Sequence, residues 1–107
     1  VSLSTHVLDT TRGEPAVGVR IRLERHGRTL AEGVTDADGR LHDWVPEEQW
    51  SAGSYRLVFD TGAYFAAHGI RAFFPDVTVA FDVTEPDRHH HVPLLLSPFS
   101  YTTYRGS

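Results

Sequence analysis

Apolar residues recur at every second position along most of this chain, the period of strands with one buried face. Ser2–Asp9 places Leu3, Thr5, Val7 and Asp9 on one parity and Ser4, His6 and Leu8 on the other, so His6 points away from the Leu3/Val7 face. Val17–Arg25 alternates over its whole length; its apolar positions are expected in the core and Arg20, Arg22 and Glu24 in water. Arg28–Thr35 is the expected hairpin partner, with His26-Gly27 making the turn. A tight turn over Thr35–Arg40 then delivers Arg40 to a short strand, Leu41–Val45. Ser54–Asp60 reads as a strand with Tyr55, Leu57 and Phe59 on one face, and Asp76–Thr84 repeats Val77, Val79, Phe81 and Val83.

The pattern breaks in few places. Thr11–Pro15 is a turn by its Gly and Pro, and Pro46–Gly53 reads as loop. Thr61–Gly69 is the one good helix candidate, with Thr61 as cap, three alanines inside and Gly69 suited to the position after its end. After Glu85-Pro86-Asp87, three histidines (His89, His90, His91) lead into the apolar strand Val92–Leu96, and a Ser-Pro-Phe-Ser turn precedes a last strand, Tyr101–Arg105. The sum is a mostly-β protein: a two-sheet antiparallel sandwich of about eight strands, with one short helix after the fifth. A terminal strand is safer paired, within the sheet or across a subunit boundary, which favours an oligomer.

Composition narrows the function classes. A chain of 107 residues reads as one domain, large enough for a core without staples. There are no cysteines, which excludes disulfides and thiolate metal sites and fits a reducing compartment. The cytoplasm is therefore expected, with the periplasm the alternative if a leader was removed ahead of Val1. A formal charge of −4 gives no reason to expect nucleic acid or an anionic membrane as partner, and no apolar run approaches a membrane span.

Candidate chemistry gathers at the end of the chain. Tyr104-Arg105-Gly106-Ser107 combines an aromatic ring, a guanidinium, a glycine that permits close backbone approach and a terminal carboxylate, so this end is expected to belong to an active site. On a strand His89 and His91 share a face, and with His6 they would make a three-histidine zinc site. No carboxylate or fourth ligand sits at a convincing spacing, which favours metal-free chemistry. On spacing alone, His6 reads as a structural strand residue and Arg40 as a solvated loop charge. His26, His42 and His68 receive no role.

Leu3-Ser4-Thr5-His6-Val7-Leu8-Asp9-Thr10 with Gly13-x-Pro15-Ala16 resembles the opening of the transthyretin-like family. His89-x-His91-Val92-Pro93-Leu94-Leu95-Leu96-Ser97-Pro98 and Tyr104-Arg105-Gly106-Ser107 resemble its enzyme branch, the 5-hydroxyisourate hydrolases. The terminal tetrapeptide is the most specific part, since the hormone-carrier branch lacks it. The departure is His90, where tyrosine is more usual. The resemblance implies hydrolytic ring opening of 5-hydroxyisourate, without metal or organic cofactor. It also implies a homotetramer with active sites in a channel at the dimer–dimer interface. Carried over by position, the catalytic residues are His6, Arg40, His91 and Ser107, with Tyr104 and Arg105 joining His6, Arg40 and His91 in substrate binding. Both histidines suit proton transfer near neutrality, and either is the base. Arg40 suits oxyanion stabilisation and Arg105 a paired hydrogen bond to the substrate's imide edge. The Ser107 carboxylate would orient a histidine or lock Arg105. The rival class is a carrier using the same channel for an apolar ligand, against which these polar and cationic residues argue.

Overall fold

Burial alternates along the first strand, β1 (Leu3–Asp9), as its sequence demands: Leu3, Thr5, Val7 and Asp9 are buried while Ser4, His6 and Leu8 are half-exposed. The computed structural model describes residues 3–107, so the expected start of this strand at Ser2 lies outside the described residues. Two sheets enclose one core. The first joins β1 to β2 (Glu14–Pro15), β5 (Arg40–Leu41), β8 (His90–His91) and β9 (Leu94–Leu96), with β10 (Tyr101–Thr103) at its edge. The second runs in the order β4 (Arg28–Val34), β3 (Arg20–Arg25), β6 (Gly53–Phe59), β7 (Val77–Val83), all antiparallel. In it Ile21 pairs with Phe59 and Leu23 with Leu57, which puts the apolar parity of each strand on the inner face. Across the gap Leu94 and Leu96 of β9 are equally buried.

The helix α1 (Thr61–Ala67) buries Tyr64 and Phe65 against this core. Gly69 follows it with φ +70°, the left-handed conformation that ends helices. Thr61 is not its cap: it is buried inside the first turn, and Asp60 holds the cap position without a side-chain hydrogen bond. Asp9 is a second anchor for the helix. Its buried carboxylate accepts hydrogen bonds from the Thr11 and Arg12 amides and from the Tyr64 hydroxyl, the last at 2.8 Å. Desolvation, aided by this carboxylate, pushes the Tyr64 phenol up to about 12, so it stays a donor.

The described residues form ten strands, close to the expected eight or so, and the difference has local reasons. Pro93 has no amide hydrogen to give a ladder, so the run from His90 to Leu96 splits into β8 and β9. Glu14–Pro15, expected as turn, pairs with Leu8 and Asp9. The expected Leu41–Val45 strand stops at Leu41, because Asp43 takes φ +54° and the chain turns to dock Trp44 on the Leu3 carbonyl. Strand β3 begins at Arg20 instead of Val17: Gly18 turns the chain at φ +81°, which leaves Val17 half-exposed despite its apolar parity. Within the expected loop, Glu47–Gln49 forms one turn of 3₁₀ helix, and Gly53 opens β6.

Candidate active site

Strand β1 is flanked on both sides, and its outward residues meet chemistry from each neighbour. Antiparallel β5 sets Arg40 opposite His6, while parallel β8 sets His91 opposite Ser4. Side chains opposite each other on adjacent strands share a face of the sheet. His6, Arg40 and His91 are thus brought together on the outward face, whereas Leu3, Thr5 and Leu41 point the other way.

A single turn delivers two of the contacts. The Asp36 carboxylate accepts the Asp38 and Arg40 amides at 2.9 and 3.0 Å, which holds its pKa below the ordinary value. Gly39 completes the turn at φ +74°, and a Cβ there would lie 2.5 Å from the Val7 carbonyl oxygen, so the turn packs directly on β1. The result aims the Asp38 carbonyl at His6 Nε2, 3.0 Å away. A carbonyl only accepts, so Nε2 of His6 carries the proton and Nδ1 keeps the lone pair.

His91 is half-buried, and its pKa is lowered, first by burial and then by the positive charge of Arg40, with His89 and His6 adding to it; the Ser4 backbone acts the other way. Its Nδ1 lies 2.8 Å from Ser4 Oγ. The zinc arrangement does not form. His6 turns to Asp38, and among the described residues no three His, Asp or Glu side chains gather at metal-binding reach. His90 faces the opposite way, buried at 4 % exposure with its ring edge on Trp50 and its Nδ1 on the Arg88 carbonyl.

The tail returns to the same place. Beyond β10 the Gly106 amide bonds the His91 carbonyl at 2.8 Å, forming a bridge between the two residues. The close approach expected of this glycine is toward the His91 ring, against which any Cβ would collide. Tyr104 and Arg105 line a cavity of about 130 Å³ with His90, His91, Val92 and Asp82. His6 and Arg40 do not line it. Arg105 also borders a second concavity with Glu85, Arg88, His89 and Ser107. Among the described residues neither Arg40 nor Arg105 forms an ion pair. Sequence reasoning placed the turn over Thr35–Arg40 but missed its Asp38 carbonyl as a partner of His6, and missed Ser4 and His89 as a partner of Ser4. The shared parity of Ser4 and His6 was the available signal for Ser4.

Residues 3–106 match the HIUase/Transthyretin family. A 5-hydroxyisourate hydrolase of Salmonella dublin is 46% identical over 109 residues, covering 98% of this chain and 80% of that protein. The solved structure of Klebsiella pneumoniae 5-hydroxyisourate hydrolase superposes with a TM-score of 0.90 at 42% identity, covering 99% of this chain and 93% of the other. Sea bream transthyretin in complex with thyroxine superposes equally well, TM-score 0.90 at 40% identity, over 99% and 95% of the two chains.

Proposed function

This chain belongs to the HIUase/Transthyretin family, and we infer that it hydrolyses 5-hydroxyisourate to 2-oxo-4-hydroxy-4-carboxy-5-ureidoimidazoline, a step of urate degradation. The fold does not choose between hydrolase and carrier, because the thyroxine-bound transthyretin fits it as closely. The observation that carries the choice is the convergence of His6, Arg40 and His91 on one outward face of β1. Two imidazoles and a guanidinium suit acyl hydrolysis better than they suit an apolar ligand.

Ring opening needs an activated water, a polarised carbonyl and a protonated leaving nitrogen. His91 is the base: with its pKa lowered it is neutral at pH 7 and able to take a proton from water. Arg40 holds the oxyanion that develops as water adds to the carbonyl carbon, a task for a charge that cannot be lost. His6, whose lone pair lies on Nδ1, orients substrate or water beside it. The Arg105 fork and the Tyr104 ring bind the substrate's imide edge and face, and Ser107 closes the site beside them.

The active unit in this proposal is a homotetramer with sites at the dimer–dimer interface. Supporting it, Phe73, Phe99 and Tyr101 are exposed near the β10 edge of a single chain, with Phe73 and Phe99 at 71% and 70% exposure. The deciding experiment generates 5-hydroxyisourate in situ from urate and follows its ultraviolet decay. Acceleration over the spontaneous rate is expected; no acceleration removes the hydrolase reading.

A further inference from the structure

Ser4 Oγ touches two imidazoles at once, His91 Nδ1 at 2.8 Å and His89 Nε2 at 2.9 Å. A hydroxyl has one proton and two lone pairs, so it donates to at most one of the rings. Two proton arrangements connect the rings through it. With Ser4 donating to His89, His91 carries its proton on Nδ1 and leaves Nε2 bare. With Ser4 donating to His91, the reverse holds. The two rings lie within 17° of parallel at 6.5 Å, bridged by this oxygen.

The ends of the bridge differ in surroundings. His91 is half-buried and faces Arg40 from β5 and His6 from β1. His89 is exposed and borders the concavity of Glu85, Arg88, Arg105 and Ser107. Burial and the nearby Arg40 make a positive charge costly to keep on His91. Nothing else in the proposed mechanism accounts for a serine placed at the rear nitrogen of its base.

We propose that Ser4 and His89 form a proton relay behind His91, an inference that rests on the hydrolase reading above. In the resting state Ser4 donates to His89, which fixes His91 as the Nδ1–H tautomer with Nε2 free. Water gives a proton to Nε2 as its oxygen bonds the carbonyl carbon. The Nδ1 proton of His91 then passes to Ser4 Oγ while the Ser4 hydroxyl proton moves to His89 Nε2. His91 is left neutral with its proton on Nε2, Ser4 is unchanged, and His89 carries the charge. When the carbon–nitrogen bond breaks, Nε2 gives its proton to the departing ring nitrogen. The relay runs backward at that moment: His89 returns its proton through Ser4 to Nδ1, and all three residues regain their starting state. Ser4 and His89 are positioning residues that act only through His91.

The test uses the full chain with Ser4→Ala, Ser4→Thr and His89→Gln. Ser4→Ala and His89→Gln are expected to lower kcat on the order of 10-fold with KM and thermal midpoint unchanged, and to shift the acid limb of the pH profile. Ser4→Thr keeps the hydroxyl and restores kcat. Without substrate, nitrogen NMR of labelled histidines should show His89 and His91 titrating as a coupled pair in the wild type and separately in Ser4→Ala. Wild-type kcat and pH profile in Ser4→Ala or His89→Gln overturns the relay and leaves the hydrolase standing. Independent titration of the two rings in the wild type overturns it whatever the activity. A wild-type chain that fails to accelerate decay removes the hydrolase reading instead, and the coupled titration still decides whether the relay exists.

Discussion

Gly106 lies against the imidazole of His91, donating its amide to the His91 carbonyl at 2.8 Å and leaving no room for a Cβ beside the ring. The glycine is a wall of the site. Gly106→Ala should displace the ring and lower kcat about 10-fold or more, because misplacing a reacting group by an ångström carries that scale of loss. The thermal midpoint should barely move, since the tail contributes little to the core. Steady-state kinetics beside a melting curve checks both, and unchanged kcat would mean the ring moves without consequence.

The depressed pKa of His91 sets the acid side of the rate profile. Protonation removes the base, so kcat/KM falls as pH drops through the His91 pKa, which lies below the ordinary histidine value of 6.5. Arg40→Gln removes one of the cations responsible. The limb should therefore move up toward 6.5 while the maximal rate falls. A limb that stays put in Arg40→Gln, or moves down, would assign the base elsewhere.

Much of the fold was legible because burial on one face imposes a period of two. Ile21, Leu23, Tyr55, Leu57 and Phe59 went to the core as their parity required. What escaped was set by single backbone angles or by contacts distant in sequence. The left-handed Asp43 ended a strand whose composition continued, and the turn at Gly18 took Val17 out of the core. His6, Arg40 and His91 were named through a family resemblance. Their convergence was invisible to local pattern, because it depends on β1 pairing with β5 on one side and β8 on the other. Ser4 stayed anonymous because a half-exposed strand serine has no signature of its own.

Tyr64→Phe tests the clamp between helix and sheet. The phenol donates to an Asp9 carboxylate that is 1% exposed, so its loss leaves a buried acceptor short of a partner. Unfolding in urea should show a loss of about 1–3 kcal/mol with activity at the folded baseline preserved. A change under about 0.5 kcal/mol, the level typical of surface substitutions, would show that the two amide donors of Asp9 suffice.

Extending the chain beyond Ser107 with a short Gly-Ser segment retains every side chain but adds bulk beside His89 and Arg105. Turnover should fall on the order of 10²-fold or more, as expected when catalytic geometry is lost. The melting temperature should stay where it is, because Leu94 and Leu96 anchor the preceding strand. Full activity in the extended chain would take the terminus out of the mechanism.

Light scattering combined with activity over a dilution series should show rate per chain falling as the tetramer dissociates. A monomer that turns over substrate at the full rate would refute sites completed between subunits.

The two parities of β1 have separate obligations. Leu3, Thr5, Val7 and Asp9 answer to packing and buried hydrogen bonds, while Ser4 and His6 answer to what approaches from outside. Substitution at one parity leaves the other in register, because the strand's pairing is fixed by its backbone and its inner face. That independence of the two faces gives a physical route by which hydrolases and a thyroxine-binding transthyretin share one architecture.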